Sequence, residues 1–306
     1  MNDANELISF IASMSGEGNL RVEENLGEGY VRLRVSEAER RQAKHDIQHV
    51  EDIVIEMLRN ARDAGADKVY LATTKEDGVR TLVFLDNGSG VPRDMQERIF
   101  DARVTSKLES MKMDRWGVHG RGMALFSIKQ NTDEARVVAS DVDLGSVFKV
   151  SVATDRLGER ADQSSWPQAV KDEDGRYVCA RGPHNIIRAA CEFALEELRA
   201  CDVYLGSPSE IAATLHAQAS SRLDASRLLF IDDEAELPVV DRLGLASDAE
   251  DFIRICSGLG LEMSERTAHR ILAGQIKPVR GVTARLLRER DSSSHASAPV
   301  DLAKDR

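Results

Sequence analysis

Three polar side chains on the segment Glu56-Met57-Leu58-Arg59-Asn60-Ala61-Arg62-Asp63-Ala64 have the types and spacing to do chemistry. Glu56, Asn60 and Asp63 stand at i, i+4 and i+7, so in a helix they share one face. Ile53, Val54, Met57, Leu58 and Ala61 on the other side give the apolar surface needed to dock that helix against a sheet. A carboxylate and a carboxamide one turn apart suit metal-assisted phosphoryl chemistry. The carboxylate takes a proton from water, and the amide oxygen ligates a hard cation. An amphipathic helix with a solvated polar face has the same pattern, and the helix alone does not decide between the two.

Two further motifs follow in order, Asp86-Asn87-Gly88-Ser89-Gly90 and Gly117-Val118-His119-Gly120-Arg121-Gly122. Together the E-x-x-x-N-A-x-D-A helix, the D-x-G-x-G turn and the G-x-x-G-x-G segment resemble the GHKL superfamily of ATPases. That superfamily includes gyrase B subunits, topoisomerase VI B subunits, MutL, the large heat-shock chaperones and sensor histidine kinases. The resemblance spans roughly residues 30 to 153, about half of the chain. Val104-Thr105-Ser106-Lys107-Leu108 is similar to the T-S-K segment of MutL and turns the resemblance towards the MutL and topoisomerase VI B branch. Arg121 between the last two glycines departs from the gyrase pattern.

The resemblance implies a Bergerat-type α/β sandwich, a mixed sheet with helices on one face, followed by a mostly helical domain. It implies ATP and Mg²⁺ as cofactors. Glu56 would polarise the attacking water, Asn60 would ligate Mg²⁺, and Asp63 would line the same face. Asp86 would accept the adenine amino hydrogen, with Gly88 and Gly90 letting the purine approach the backbone. Thr105, Ser106, Lys107 and the lid from Gly117 through Val118, His119, Gly120 and Arg121 to Gly122 would close over the triphosphate. Glycines just before the apolar helix at Met123 to Ile128 present free backbone amides to phosphate, with the positive end of the helix dipole behind them. Glutamate at position 56 implies hydrolysis, since relatives that phosphorylate histidine usually carry asparagine there.

Composition bounds the remaining possibilities. The chain has 306 residues and a formal net charge of −11, which argues against a protein that coats nucleic acid along its whole surface but leaves room for a local basic patch. Cys179, Cys191, Cys201 and Cys256 lack metal-ligand spacing and fit a reducing cytoplasm. No apolar run is long enough to span a bilayer, and Met1 to Glu6 lacks a positive n-region, so a cytoplasmic protein without a membrane partner is expected.

The elements that must hold these residues can be read in order. Tyr30 to Val35 alternates as a strand, Ser36 to Glu39 forms a capping box, and Val69 to Ala72 and Thr81 to Leu85 pair through Asp77-Gly78. Residues 94 to 100 read as a short helix after Pro92. Two strands follow, at 135–139 and 146–152. The expected division is an ATP-binding domain over residues 1–155, a linker over 156–180, a mostly helical regulatory or interaction domain over 181–290, and a disordered tail over 291–306. Within the third part, helices are expected at 186–198, 207–219, 248–256 and 264–273, and a short buried strand or helix end at 228–231. The last two helices resemble a helix-turn-helix that displays Arg266, His269 and Arg270, with Lys277 and Arg280 beyond. DNA contact and a helical packing module both remain open readings of that pair.

By resemblance to the MutL and topoisomerase branch, the expected function is ATP hydrolysis driving lid closure and homodimerisation in a DNA-processing system. The N-terminal segment would either reach across to the second subunit or stand as a frayed terminus. No transducer domain with its own catalytic lysine is recognisable, so a partner protein would carry the DNA chemistry. The alternative class is an anti-sigma-type regulatory protein kinase or a nucleotide-gated binding protein, distinguished by whether the γ-phosphate ends on water or on a protein serine.

Overall fold

The computed structural model describes residues 22–106, 112–114, 117–119, 122–160, 162–197, 200–223, 231 and 233–295. The expected N-terminal crossover segment and most of the expected strand at 228–231 lie outside them. A ribbon of β1 (Val22–Gly27) and β2 (Tyr30–Leu33) leads into α1 (Glu37–Asp46), which Ser36 and Glu39 start with a reciprocal capping box. The central helix is α2 (Val50–Asp63). Its first turn is closed by Asp52, which accepts the N–H of Gln48 at 3.0 Å and of His49 at 2.9 Å. Then come β3 (Lys68–Glu76) and β4 (Val79–Asp86), joined by Asp77-Gly78 with φ of +48° and +79°. Positive φ at both turn positions matches the right-handed twist of the strands, which is why Asp-Gly marks such hairpins.

Two 3₁₀ turns, Arg93–Met95 and Arg98–Phe100, stand where one short helix was expected. β5 (Val104–Thr105) pairs with β2, and a ribbon of β6 (Lys112–Asp114) and β7 (Gly117–His119) precedes α3 (Ala124–Asn131). β8 (Glu134–Ser140) and β9 (Ser146–Ala153) follow as expected. The segment read as a linker instead carries a hairpin, β10 (Gln168–Lys171) and β11 (Tyr177–Arg181), before α4 (Ile186–Glu196). The rest is β12 (Asp202–Gly206), α5 (Pro208–Arg222), α6 (Ala249–Gly258), α7 (Glu265–Leu272) and α8 (Val282–His295). Residues 291–295, expected in a disordered tail, form the last turns of α8.

The main sheet has the order β12-β3-β4-β9-β8, with β12 parallel to β3 and every other pair antiparallel. It is the mixed α/β sheet expected, but it takes a strand from each side of the supposed boundary. Val203 pairs with Val69 and Leu205 with Leu71. Residues 181–290 are therefore built onto the sheet.

A second difference concerns the faces. Val69, Leu71, Leu82, Phe84, Val150 and Val203 share a core with Ile53 and Leu58 of α2, Ile128 of α3, Phe193 of α4 and Leu286 of α8. Tyr70, Ala72, Val83, Leu85 and Val147 point the other way, into Ile211 and Leu215 of α5, Phe252 and Ile255 of α6, and Ala268 and Ile271 of α7. Helices cover both faces, not one. Strands buried on both faces must be apolar at successive positions, as β3 and β4 are at their centres.

Candidate functional site

Docking α2 by its apolar side turns Glu56, Asn60 and Asp63 towards a single cavity of about 480 Å³. Asp86 reaches the same wall from the end of β4, because strands 3 and 4 run antiparallel beneath the helix and β4 ends beside Ala64. Gly90, Thr105, Ser106 and Gly122 complete the expected residues that line it. Gly88 lies just behind, and its N–H donates to Asp86 Oδ1 at 2.8 Å, which fixes the orientation of a carboxylate only 4% exposed. Lys107, Gly120 and Arg121 fall outside the described residues. The backbone of Gly117, Val118 and His119 forms β7 of the short ribbon, so this part of the glycine-rich segment is paired strand, not open loop.

The Asp86 turn leaves no room for a side chain at Gly88 or Gly90. A Cβ on Gly90, whose φ is +71°, would stand 1.8 Å from the carbonyl oxygen of Asp141. Asn87 ties the turn down by accepting the N–H groups of Asp67 and Lys68 at 3.2 and 2.9 Å, so it is a brace for β3 and not a ligand-facing group. On α2, Arg59 Nη1 donates to Glu56 Oε1 at 2.7 Å. Arg59 is buried while Glu56 keeps 22% of its side chain exposed, and both line the cavity, so the guanidinium holds the carboxylate in place there. Arg62 bridges Asp63 at 3.0 Å and Glu197 at 3.1 Å, fixing the end of α2 to the end of α4.

Several wall residues were not anticipated from sequence. For Arg59 the sequence signal is a cation three residues after Glu56, within the helix pattern. Arg103 and Ser127 also line the cavity, with Arg103 Nε and Ser127 Oγ buried and lacking a hydrogen-bond partner among the described residues. The first turn of α3 starts at Met123 with no side-chain cap, and Ala124 and Leu125 line the cavity. Tyr30 also lines the cavity, within hydrogen-bonding reach of Ser106. Burial pushes its phenol up from the ordinary value, and the Ser106 bond pulls the other way.

This chemistry suits a polyanionic nucleotide. Orphaned buried donors and an uncapped helix start call for an anion with several oxygen acceptors. Asp86 offers acceptors only, as a purine amino group requires. Among the described residues, no group of three histidine, cysteine or acidic side chains is placed to hold a metal alone. A Mg²⁺ held by the Asn60 amide oxygen together with phosphate oxygens fits that donor set, because this ion commonly takes few protein ligands beside its nucleotide. The four cysteines are buried and free, and burial pushes the Cys201 and Cys256 thiols up to about 12 each, which disfavours the reactive thiolate. No helix among the described residues is long and apolar enough to cross a membrane.

Comparison with known proteins locates the similarity on these same elements. The family described as "Histidine kinase-, DNA gyrase B-, and HSP90-like ATPase" matches residues 47–140, from the start of α2 to the end of β8. The DNA mismatch repair protein MutL of Staphylococcus aureus is 28% identical over 136 residues, 41% of this chain and 20% of that protein, in strain Newman. The match is the same in strains JH1 and Mu3. The chain thus spans about a fifth of the length of these curated relatives.

Proposed function

We propose, from the premise that this chain belongs to the GHKL superfamily and resembles its MutL-like branch, that its cavity binds ATP with Mg²⁺ and hydrolyses it. The carrying observation is that Glu56, Asn60 and Asp86, which lie up to 30 positions apart in sequence, line one cavity with the uncapped start of α3. Asp86 accepts the adenine amino hydrogen. Glu56, held by Arg59, accepts a proton from the attacking water, and the backbone amides at the start of α3 take phosphate oxygens. Mg²⁺, held by Asn60, would neutralise phosphate charge as phosphoryl transfer develops. The segment between β5 and α3, including Lys107, Gly120 and Arg121, closes over the triphosphate.

The wider role follows the relatives. ATP-driven closure promotes homodimerisation, and the chain acts as the ATPase component of a DNA-processing system whose DNA chemistry resides in a partner protein. Exposed Arg266, Arg270, Lys277 and Arg280 support direct contact with DNA in an otherwise acidic chain. Glu56→Ala tests the chemistry, because the carboxylate acts on water and makes no contact that ground-state binding needs. Calorimetry is expected to show ATP binding retained and phosphate release lost. ATP bound equally and hydrolysed at an unchanged rate by Glu56→Ala would remove Glu56 as the base. Labelled γ-phosphate on a protein serine instead of in solution would favour the kinase alternative.

A further inference from the structure

We propose that Arg103 is a phosphate-binding residue of this cavity, held on Glu39 until the triphosphate takes its place; this rests on the ATP-site reading. Arg103 is 7% exposed and sits at the cavity wall, where Nη2 is ion-paired with Glu39 Oε1 and Nε has no hydrogen-bond partner among the described residues. A buried guanidinium N–H without an acceptor is costly, and folded proteins seldom keep one that nothing ever satisfies. The position is built with care. Its φ is +61°, a left-handed value that a non-glycine residue adopts at a cost, and its backbone is clamped on both sides. Its N–H donates to Gly122 O at 2.8 Å and its carbonyl accepts Leu33 N–H at 3.0 Å. Gly122 is the last residue of the lid segment, so Arg103 is fixed where the lid joins α3.

The donors converge on one kind of ligand. Ser127 Oγ, also buried and without a hydrogen-bond partner among the described residues, lies on the helix that starts just beyond Gly122. A guanidinium, a hydroxyl and the backbone amides of a helix start without a side-chain cap, all lining one cavity, suit phosphate oxygens, which accept from all three. Glu39 is the competing anion. It can release Arg103 without undoing the cap of α1, because its other oxygen, Oε2, accepts from Ser36 N at 2.8 Å and Ser36 Oγ at 2.9 Å. The same carboxylate thus anchors a helix with one oxygen and restrains the arginine with the other.

Calorimetric titration of the full chain with MgATP and with adenosine, beside thermal melting, tests this. Arg103→Ala is expected to weaken MgATP by roughly ten- to a hundred-fold while adenosine, which lacks phosphate, binds as before. Glu39→Gln keeps a capping-box acceptor but removes the competing charge, so MgATP should bind several-fold tighter with adenosine unchanged. The double variant should match Arg103→Ala. If Arg103→Ala lowers only the melting temperature and leaves the ATP-to-adenosine affinity ratio alone, the ion pair is structural and the proposal fails. Unchanged MgATP affinity in Glu39→Gln overturns the exchange even where the arginine variant is poorly folded. Binding of neither ligand by the unaltered chain refutes the ATP-site reading itself, and this inference with it.

Discussion

Replacing Asp86 with asparagine changes one atom in a place where the structure fixes its orientation. Gly88 N–H already bonds Oδ1 at 2.8 Å, and the side chain is 4% exposed, so that oxygen is held in place. An asparagine has one oxygen, which the Gly88 N–H claims. Its NH₂ group then occupies the position of the second carboxylate oxygen, and a donor faces the purine amino group where an acceptor stood. Loss of a charge-assisted hydrogen bond costs about 1.5–3 kcal/mol, or roughly ten- to a hundred-and-fifty-fold in the dissociation constant. Inosine triphosphate carries an oxygen in place of that amino group and can accept from the new NH₂. Asp86→Asn should therefore lose ATP affinity by this amount and move its preference towards inosine triphosphate, measured by calorimetry on protein with an unchanged melting temperature. If the ratio of the two affinities is the same in both proteins, Asp86 does not read the base edge.

Three further outcomes are expected. Saturation with a non-hydrolysable ATP analogue and Mg²⁺ should protect the segment between residues 106 and 122 from limited proteolysis and raise self-association by light scattering; cleavage there at an undiminished rate would count against closure. Replacing Arg266 and Arg270 with alanine should flatten the salt dependence of duplex DNA binding by about one unit of log–log slope per cation, whereas an unaltered slope assigns α7 to protein packing alone. Burial pushes the Glu159 carboxyl up, but bonds from Arg80 and Lys75 outweigh it and hold it below its ordinary value of 4.5. The unfolded chain thus takes up the proton first on acidification. The stabilisation from this cluster is complete above that value and fades as pH falls through the lower folded value, and Glu159→Gln should show a correspondingly shallower acid melting curve.

The sequence made some of this architecture plain and concealed the rest for identifiable reasons. The Asp77-Gly78 hairpin, the Ser36–Glu39 cap and the α2 face depend on neighbours within a turn or a strand, so local pattern suffices. β12 is a five-residue strand whose partner lies far upstream, at Val69 for Val203, and nothing in Asp202–Gly206 names that partner. The second helical layer does have a signal in the sequence. Val69 to Ala72 and Leu82 to Leu85 are apolar without alternation, which already calls for cover on both faces. Arg103 was beyond reach because its importance comes from what is close in space, Gly122, Glu39 and the cavity, and not from its spacing to Asn60 or Asp86.

The parallel pairing of β12 with β3 has a consequence for how the chain is made. During synthesis β3, β4, β8 and β9 leave the ribosome well before residues 202–206, and Tyr70, Val83 and Leu85 wait for α5, α6 and α7 to cover them. Closing so long a loop is entropically slow, and exposed strand edges in the interval invite pairing with other chains. Fragments ending near residue 155 are accordingly expected to be captured by chaperones or to aggregate, and the site acquires its full support only when the last third of the chain has emerged.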